Sequence, residues 1–169
     1  MKRFFSLKRY DALLSAFDYV VSRVVIVSMA VMTFVVVLQV FYRYVLNDSL
    51  VWGWDVPRLC FIWAVLLSIP LGIRYNAHVG IDLVFNLFGP RTKRFVRSFN
   101  AIFMGILSAM ATYYAVLLAQ DTWSQLMPGL GLSVGLFYVG LAIGQFHTCL
   151  HLARILITGE PGSEHLSET

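Results

Sequence analysis

The chain has 169 residues, 59% of them hydrophobic and 13% charged, about half the charged share of an ordinary soluble domain. With a mean hydropathy of +0.74, a single domain of this size cannot bury its apolar side chains in one core. The surplus must face lipid or another apolar protein, which argues against a soluble enzyme and for an all-α integral membrane protein. The net charge of +4 is no nucleic-acid signature, because the basic residues punctuate apolar runs instead of clustering with exposed aromatics.

In chain order, residues 1–23 form a basic N-terminal segment. Within it Tyr10, Leu13, Leu14, Phe17 and Val21 recur at helical spacing, with Asp11, Ser15, Asp18 and Ser22 on the other face, the pattern of an amphipathic helix. It either lies along the headgroup layer or extends the first span into the cytoplasm. No cleaved signal peptide is expected, since the first uncharged run exceeds a signal core and no small-x-small site follows it. The first span is placed at 24–46; its uncharged part, 24–42, makes about 28 Å of helix, enough to cross the hydrocarbon.

The second span, 55–74, has a short uncharged run, so Arg58 and Arg74 snorkel to the two headgroup layers. Pro70 kinks it without preventing a crossing, and a re-entrant segment is the alternative. An interfacial helix at 78–89 is closed by Gly89-Pro90. The third span is placed at 94–120 and the fourth at 129–153, opened by a turn at Pro128-Gly129. The tail, 154–169, holds Pro, Gly, Ser and Glu without periodicity and is read as disordered.

Eleven of the 13 basic residues fall in the N-terminal segment, in the link between spans two and three, or at Arg154. Only Arg43 and Arg58 lie on the opposite side. By the positive-inside rule both termini are cytoplasmic. Trp52, Trp54 and Trp123 then sit at the outer interface, where indole rings prefer to lie.

No Asp, Glu, Lys or Arg occurs within the four uncharged runs. A helix that conducts ions or protons usually carries ionisable groups at mid-depth, and no pair of interrupted half-helices marks a binding site. Gly131, Gly135, Gly140 and Gly144 make two Gly-x-x-x-Gly repeats along the fourth span, a face that lets helix backbones close in. That face serves either packing within the chain or a larger membrane partner.

His147 and His151 are one helical turn apart, and with His78 they open a reading as a cytochrome-b-like redox anchor. No carboxylate lies beside them in sequence, so no metal or cofactor is expected. Cys60 and Cys149 sit in apolar runs and form no Cys-x-x-Cys pair. No nucleophile elbow, phosphate loop or paired carboxylates suggest an enzyme. Asp55 and Arg58, at i and i+3, are placed to pair at the start of the second span, near Arg43.

Phe41-Tyr42-Arg43-Tyr44-Val45-Leu46-Asn47, followed by Trp52, Asp55, Arg58 and Trp63, resembles the DctQ/SiaQ-like small membrane subunit of tripartite ATP-independent periplasmic (TRAP) transporters. Gly72-Ile73-Arg74 and then His78-Val79-Gly80-Ile81-Asp82-Leu83 resemble the same family's His-x-x-x-Asp segment. The likeness covers roughly residues 10–155. Where the family often reads Trp-Ser-Glu-Glu, this chain reads Trp52-Gly53-Trp54-Asp55. The resemblance implies a non-catalytic scaffold in a bacterial inner membrane. It implies as partners a large multi-span transport subunit, a periplasmic substrate-binding protein and membrane lipid, with an organic anion such as a dicarboxylate or sialic acid as cargo. Candidate positions are an outer docking rim (Arg43, Trp52, Asp55, Arg58), a cytoplasmic-side motif (His78, Asp82) and the four-glycine packing face.

Overall fold

A computed structural model describes residues 2–74 and 90–158. Four helices carry the fold: α1 (Lys2–Val45), α2 (Asp55–Arg74), α3 (Pro90–Asp121) and α4 (Gly135–Thr158), with a short 3-10 turn at Val51–Gly53. Each is long and apolar enough to cross a membrane. Among the described residues there is no strand, only one isolated antiparallel bridge between Leu126 and Ser133. The expected interfacial helix at 78–89, with His78 and Asp82, lies outside the described residues.

α1 is one unbroken helix of 44 residues, about 66 Å long. No glycine or proline precedes Gly53, so nothing interrupts the ladder between the amphipathic segment and the first span. Of the two arrangements open to that segment, the structure has the extension: it is the N-terminal part of α1. The helix stops where Asn47 takes a left-handed φ of 51° and the Asp48 N–H returns to the Tyr42 carbonyl, a turn that asparagine tolerates better than most residues.

α2 carries Pro57 in its first turn, where a missing N–H costs nothing. Pro70 lies inside the helix and is fully buried. A proline there cannot donate to the carbonyl four residues back, so the Leu66 oxygen is left without its helical partner.

The helices stand in a row in the order α1, α2, α4, α3. α1 runs along α2, α2 along α4, and α4 along α3. Glycines set the closest approaches. A Cβ on Gly144 would stand 2.5 Å from the Leu66 oxygen, and one on Gly140 would stand 3.0 Å from Trp63 Nε1. That indole N–H donates to the Leu136 carbonyl at 3.0 Å. Gly135 meets α3, where its Cβ would lie 2.8 Å from the Ala119 oxygen. A buried cluster of Ile73, Ala101 and Leu152 ties α2, α3 and α4 at the end where the chain termini lie.

The fourth helix starts at Gly135, six residues later than the turn at Pro128-Gly129 suggested. Residues 125–134 first make a tight hairpin. The Met127 N–H bonds the Leu132 carbonyl at 2.8 Å and the Val134 N–H bonds the Gln125 carbonyl at 2.8 Å. Gly131 sits at its tip with φ of 65°, outside α4 and unable to share a helical packing face. Ser133 then accepts the Gly135 N–H on its hydroxyl at 3.0 Å, a side-chain cap that opens the helix.

Candidate functional site

At the loop end, Asp55 begins α2, and its carboxylate accepts the Gly129 N–H at 2.7 Å. The hairpin between α3 and α4 is thereby tied to the start of α2, and Gly129 packs against the Val51 carbonyl and Trp52. The expected Asp55–Arg58 pair is not formed, because the carboxylate is committed to the loop backbone. Arg58 instead stacks its guanidinium over the Phe137 ring at 5.1 Å, and Arg43 lies over Tyr44 at 5.9 Å. Gln39, its amide oriented to satisfy both neighbours, donates to the Gly53 carbonyl at 2.8 Å and accepts from the Trp54 indole at 3.2 Å. Arg43 and Arg58 remain exposed, while Trp52 and Asp55 are half-buried. The structure thus gathers Arg43, Trp52, Asp55 and Arg58 at one end, while Trp123, just before the hairpin, packs against Gly135 of α4.

Between the two ends, polar side chains in the helices are spent on their own backbones. Thr33 donates to the Met29 carbonyl, Ser68 to Val65, Thr112 to Ser108 and Thr148 to Gly144, all at 2.8 to 3.0 Å. Such back-bonding satisfies the hydroxyl within one helix and leaves no chain of polar groups from end to end through these residues.

The terminal end holds the most charged part of the interior. Asp18 of α1 is 2% exposed. Its Oδ2 accepts from Arg74 Nη1 of α2 at 2.8 Å. Its Oδ1 lies 2.7 Å from His147 Nε2 and 2.8 Å from His151 Nε2, both on α4. Beside this cluster, Arg154 Nε donates to Asp11 at 2.6 Å, and the Tyr10 hydroxyl donates to the Leu150 carbonyl at 2.8 Å. Phe17 packs edge-on against the His147 ring. These side chains join α1 to α4 across the corner that α2 leaves open. A buried charge is tolerable only when paired and hydrogen-bonded in this way.

Sequence reasoning placed His147 and His151 on one face but missed Asp18, which sat on the polar face of the amphipathic segment and was assigned to headgroups. The signal was present in two spacings: Asp11 and Asp18 are two turns apart, and His147, His151 and Arg154 repeat at helical intervals on the facing helix. The two imidazoles turn their Nε2 atoms to within 3.2 Å of each other, while His78, the other histidine of the redox-anchor reading, lies outside the described residues.

The three helical glycines of the candidate packing face are buried inside this chain, against Trp63, Leu66 and Ala119.

A family model described as "Tripartite ATP-independent periplasmic transporters, DctQ component" matches residues 14–160. Among curated proteins, the chain is 24% identical over 59% of its length to the C4-dicarboxylate TRAP transporter small permease protein DctQ of Vibrio cholerae, covering 40% of that protein. It is 26% identical over 73% of its length to the protein of the same name from Rhodobacter capsulatus, covering 58% of it. It is 22% identical over 52% of its length to the sialic acid TRAP transporter permease protein SiaT of Haemophilus influenzae, covering 14% of that protein. The chain therefore spans roughly half the length of the small permeases it matches first.

Proposed function

The chain belongs to the DctQ component family of tripartite ATP-independent periplasmic transporters, and from that premise we propose that it is a scaffold that clasps a large transport subunit in a bacterial inner membrane. A small permease of this family is a transport component and not an enzyme. The observation that carries the scaffold reading is the exposure of α1. Most side chains of the first span stay exposed although α1 runs along α2, with Phe34 at 67% and Val37 at 63%, so a broad face of the helix is available to lipid or to a second membrane protein. The 87 residues matched in SiaT make up 14% of that protein, so most of that permease lies outside the matched stretch, which supports a larger membrane partner.

In this reading both termini are cytoplasmic and the loop end faces the periplasm. There Arg43, Trp52 and Arg58 form a rim against which a binding protein docks while it hands over its cargo. That cargo is an organic anion of the dicarboxylate or sialic acid class, and the coupling ion travels with it through the large subunit. The hydroxyls of Thr33, Ser68, Thr112 and Thr148, each turned back on its own helix, support a route elsewhere.

Reconstitution tests the reading. Proteoliposomes holding this chain alone are expected to take up no labelled dicarboxylate or sialic acid, and uptake is expected only when the large subunit and binding protein are added. Uptake by this chain alone overturns the proposal, as does a fully active large subunit in its absence.

A further inference from the structure

We propose that Asp18, His147 and His151 form a binding site for a divalent transition-metal ion of the zinc class, which pins α1 to α4 at the terminal end. The carboxylate that the sequence did not place beside the histidine pair comes from another helix. Asp18 Oδ1, His147 Nε2 and His151 Nε2 lie within 4.8 Å of one another, with separations of 2.7, 2.8 and 3.2 Å.

Three mutual contacts of this length cannot all be hydrogen bonds. If both rings donate to the carboxylate, the two Nε2–H groups face the same oxygen and the contact between the nitrogens joins two donors. If one ring accepts from the other, its lone pair also meets the ionised carboxylate. A single cation resolves all three contacts, because each atom then offers a lone pair to it. From the three separations, a point about 2.1 Å from every donor, the usual zinc bond length, lies about 1.2 Å out of their plane. A tetrahedral ion spreads its donors to about 3.4 Å from one another, so the two shorter contacts open by about 0.6 to 0.7 Å when it binds.

The surroundings agree with such a site. Arg74 holds the second carboxylate oxygen at 2.8 Å, the kind of outer support that fixes a metal-bound carboxylate. Nδ1 of His147 is buried without a partner, and with Nε2 on the ion it is the nitrogen that carries the ring proton. A cavity of about 40 Å³ adjoins the site, lined by Asp18, Arg74 and His151 among others. That is room for one or two waters, enough to supply a fourth ligand. Two imidazoles with one carboxylate favour zinc and its neighbours over magnesium or calcium, which prefer all-oxygen shells. This site stands on its own geometry and does not depend on the scaffold reading.

The test uses the full chain in detergent, purified without a histidine tag and stripped with a chelator. In an H78Q/H165Q background only the two site histidines remain of the four in the chain. This protein is expected to retain one Zn2+ after dialysis and to melt at a higher temperature when zinc is added. Adding H147Q or H151Q is expected to weaken binding at least 100-fold and to remove the thermal shift. R74Q is expected to weaken it about 10- to 100-fold, as outer-shell changes do. Failure of the background protein to retain zinc overturns the proposal, and so does undiminished binding by the H147Q/H151Q pair. Should the histidine variants not fold, pulsed EPR of the Cu2+-loaded background protein decides. Coupling to two imidazole nitrogens is expected, and coupling to one or none overturns the site.

Discussion

Gly144 sets the distance between α2 and α4. Its Cα rests where any larger residue would press a carbon 2.5 Å from the Leu66 oxygen, an oxygen that receives no N–H from Pro70. Gly144→Ala must push the helices apart or distort α2. A loss of about 1–3 kcal/mol is expected, as for other overpacked cores, read as a fall in melting temperature in detergent. Asp55 carries a second residue-scale prediction. Because its carboxylate holds the Gly129 N–H, Asp55→Lys would disturb the hairpin as well as the rim charge. Asp55→Asn keeps an acceptor oxygen and removes the charge alone. If the rim docks a binding protein through this charge, Asp55→Asn lowers uptake with assembly intact. Unchanged uptake would mean that Asp55 serves only the loop. The residue identities at the rim were legible from the sequence, but their partners were not, since a carboxylate aimed at a backbone N–H 74 positions away leaves no local mark.

At the scale of elements, hydropathy and charge were enough to find four spans and the turn between the third and fourth, because lipid forces the backbone into helices. Two boundaries were not legible. The continuity of α1 followed from the absence of a breaker, yet its amphipathic pattern suits a surface helix equally well, and only its contacts with α4 decide. The start of α4 was assigned to Pro128-Gly129, whereas the hairpin hides the true cap at Ser133. Ser133→Ala should remove that cap and cost about 1 kcal/mol, seen as earlier thermal unfolding and faster hydrogen exchange at Gly135 and Leu136. The Asp18 cluster was the largest omission. It depends on a meeting of α1 and α4 that no local periodicity encodes, and its aspartate matches an ordinary solvated face until the opposing helix is in place.

At the scale of the molecule, a row of four helices has two broad sides and little interior. Large apolar residues such as Phe34, Val37 and Phe41 stay exposed along α1, and Phe99, Ile106 and Tyr113 along α3. Monomeric soluble proteins rarely show apolar patches so extended. If a large subunit covers one side and lipid the other, photo-crosslinkers placed singly along α1 should give protein adducts with helical periodicity. Phe34, Val37 and Phe41 fall on one such stripe. Adducts at every position around the helix, or at none, would contradict a one-sided clasp.

The unbroken length of α1 has a mechanical outcome. The helix is about 66 Å long, twice what the oily layer requires, and one rigid rod carries both its membrane-embedded part and Asp18. A bilayer that grows thinner makes such a rod lean. With no hinge to absorb the lean, the displacement arrives at the point where aspartate, arginine and two imidazoles meet. Lipid thickness and the geometry of that junction would then vary together, so the chain could register the thickness of the membrane around it.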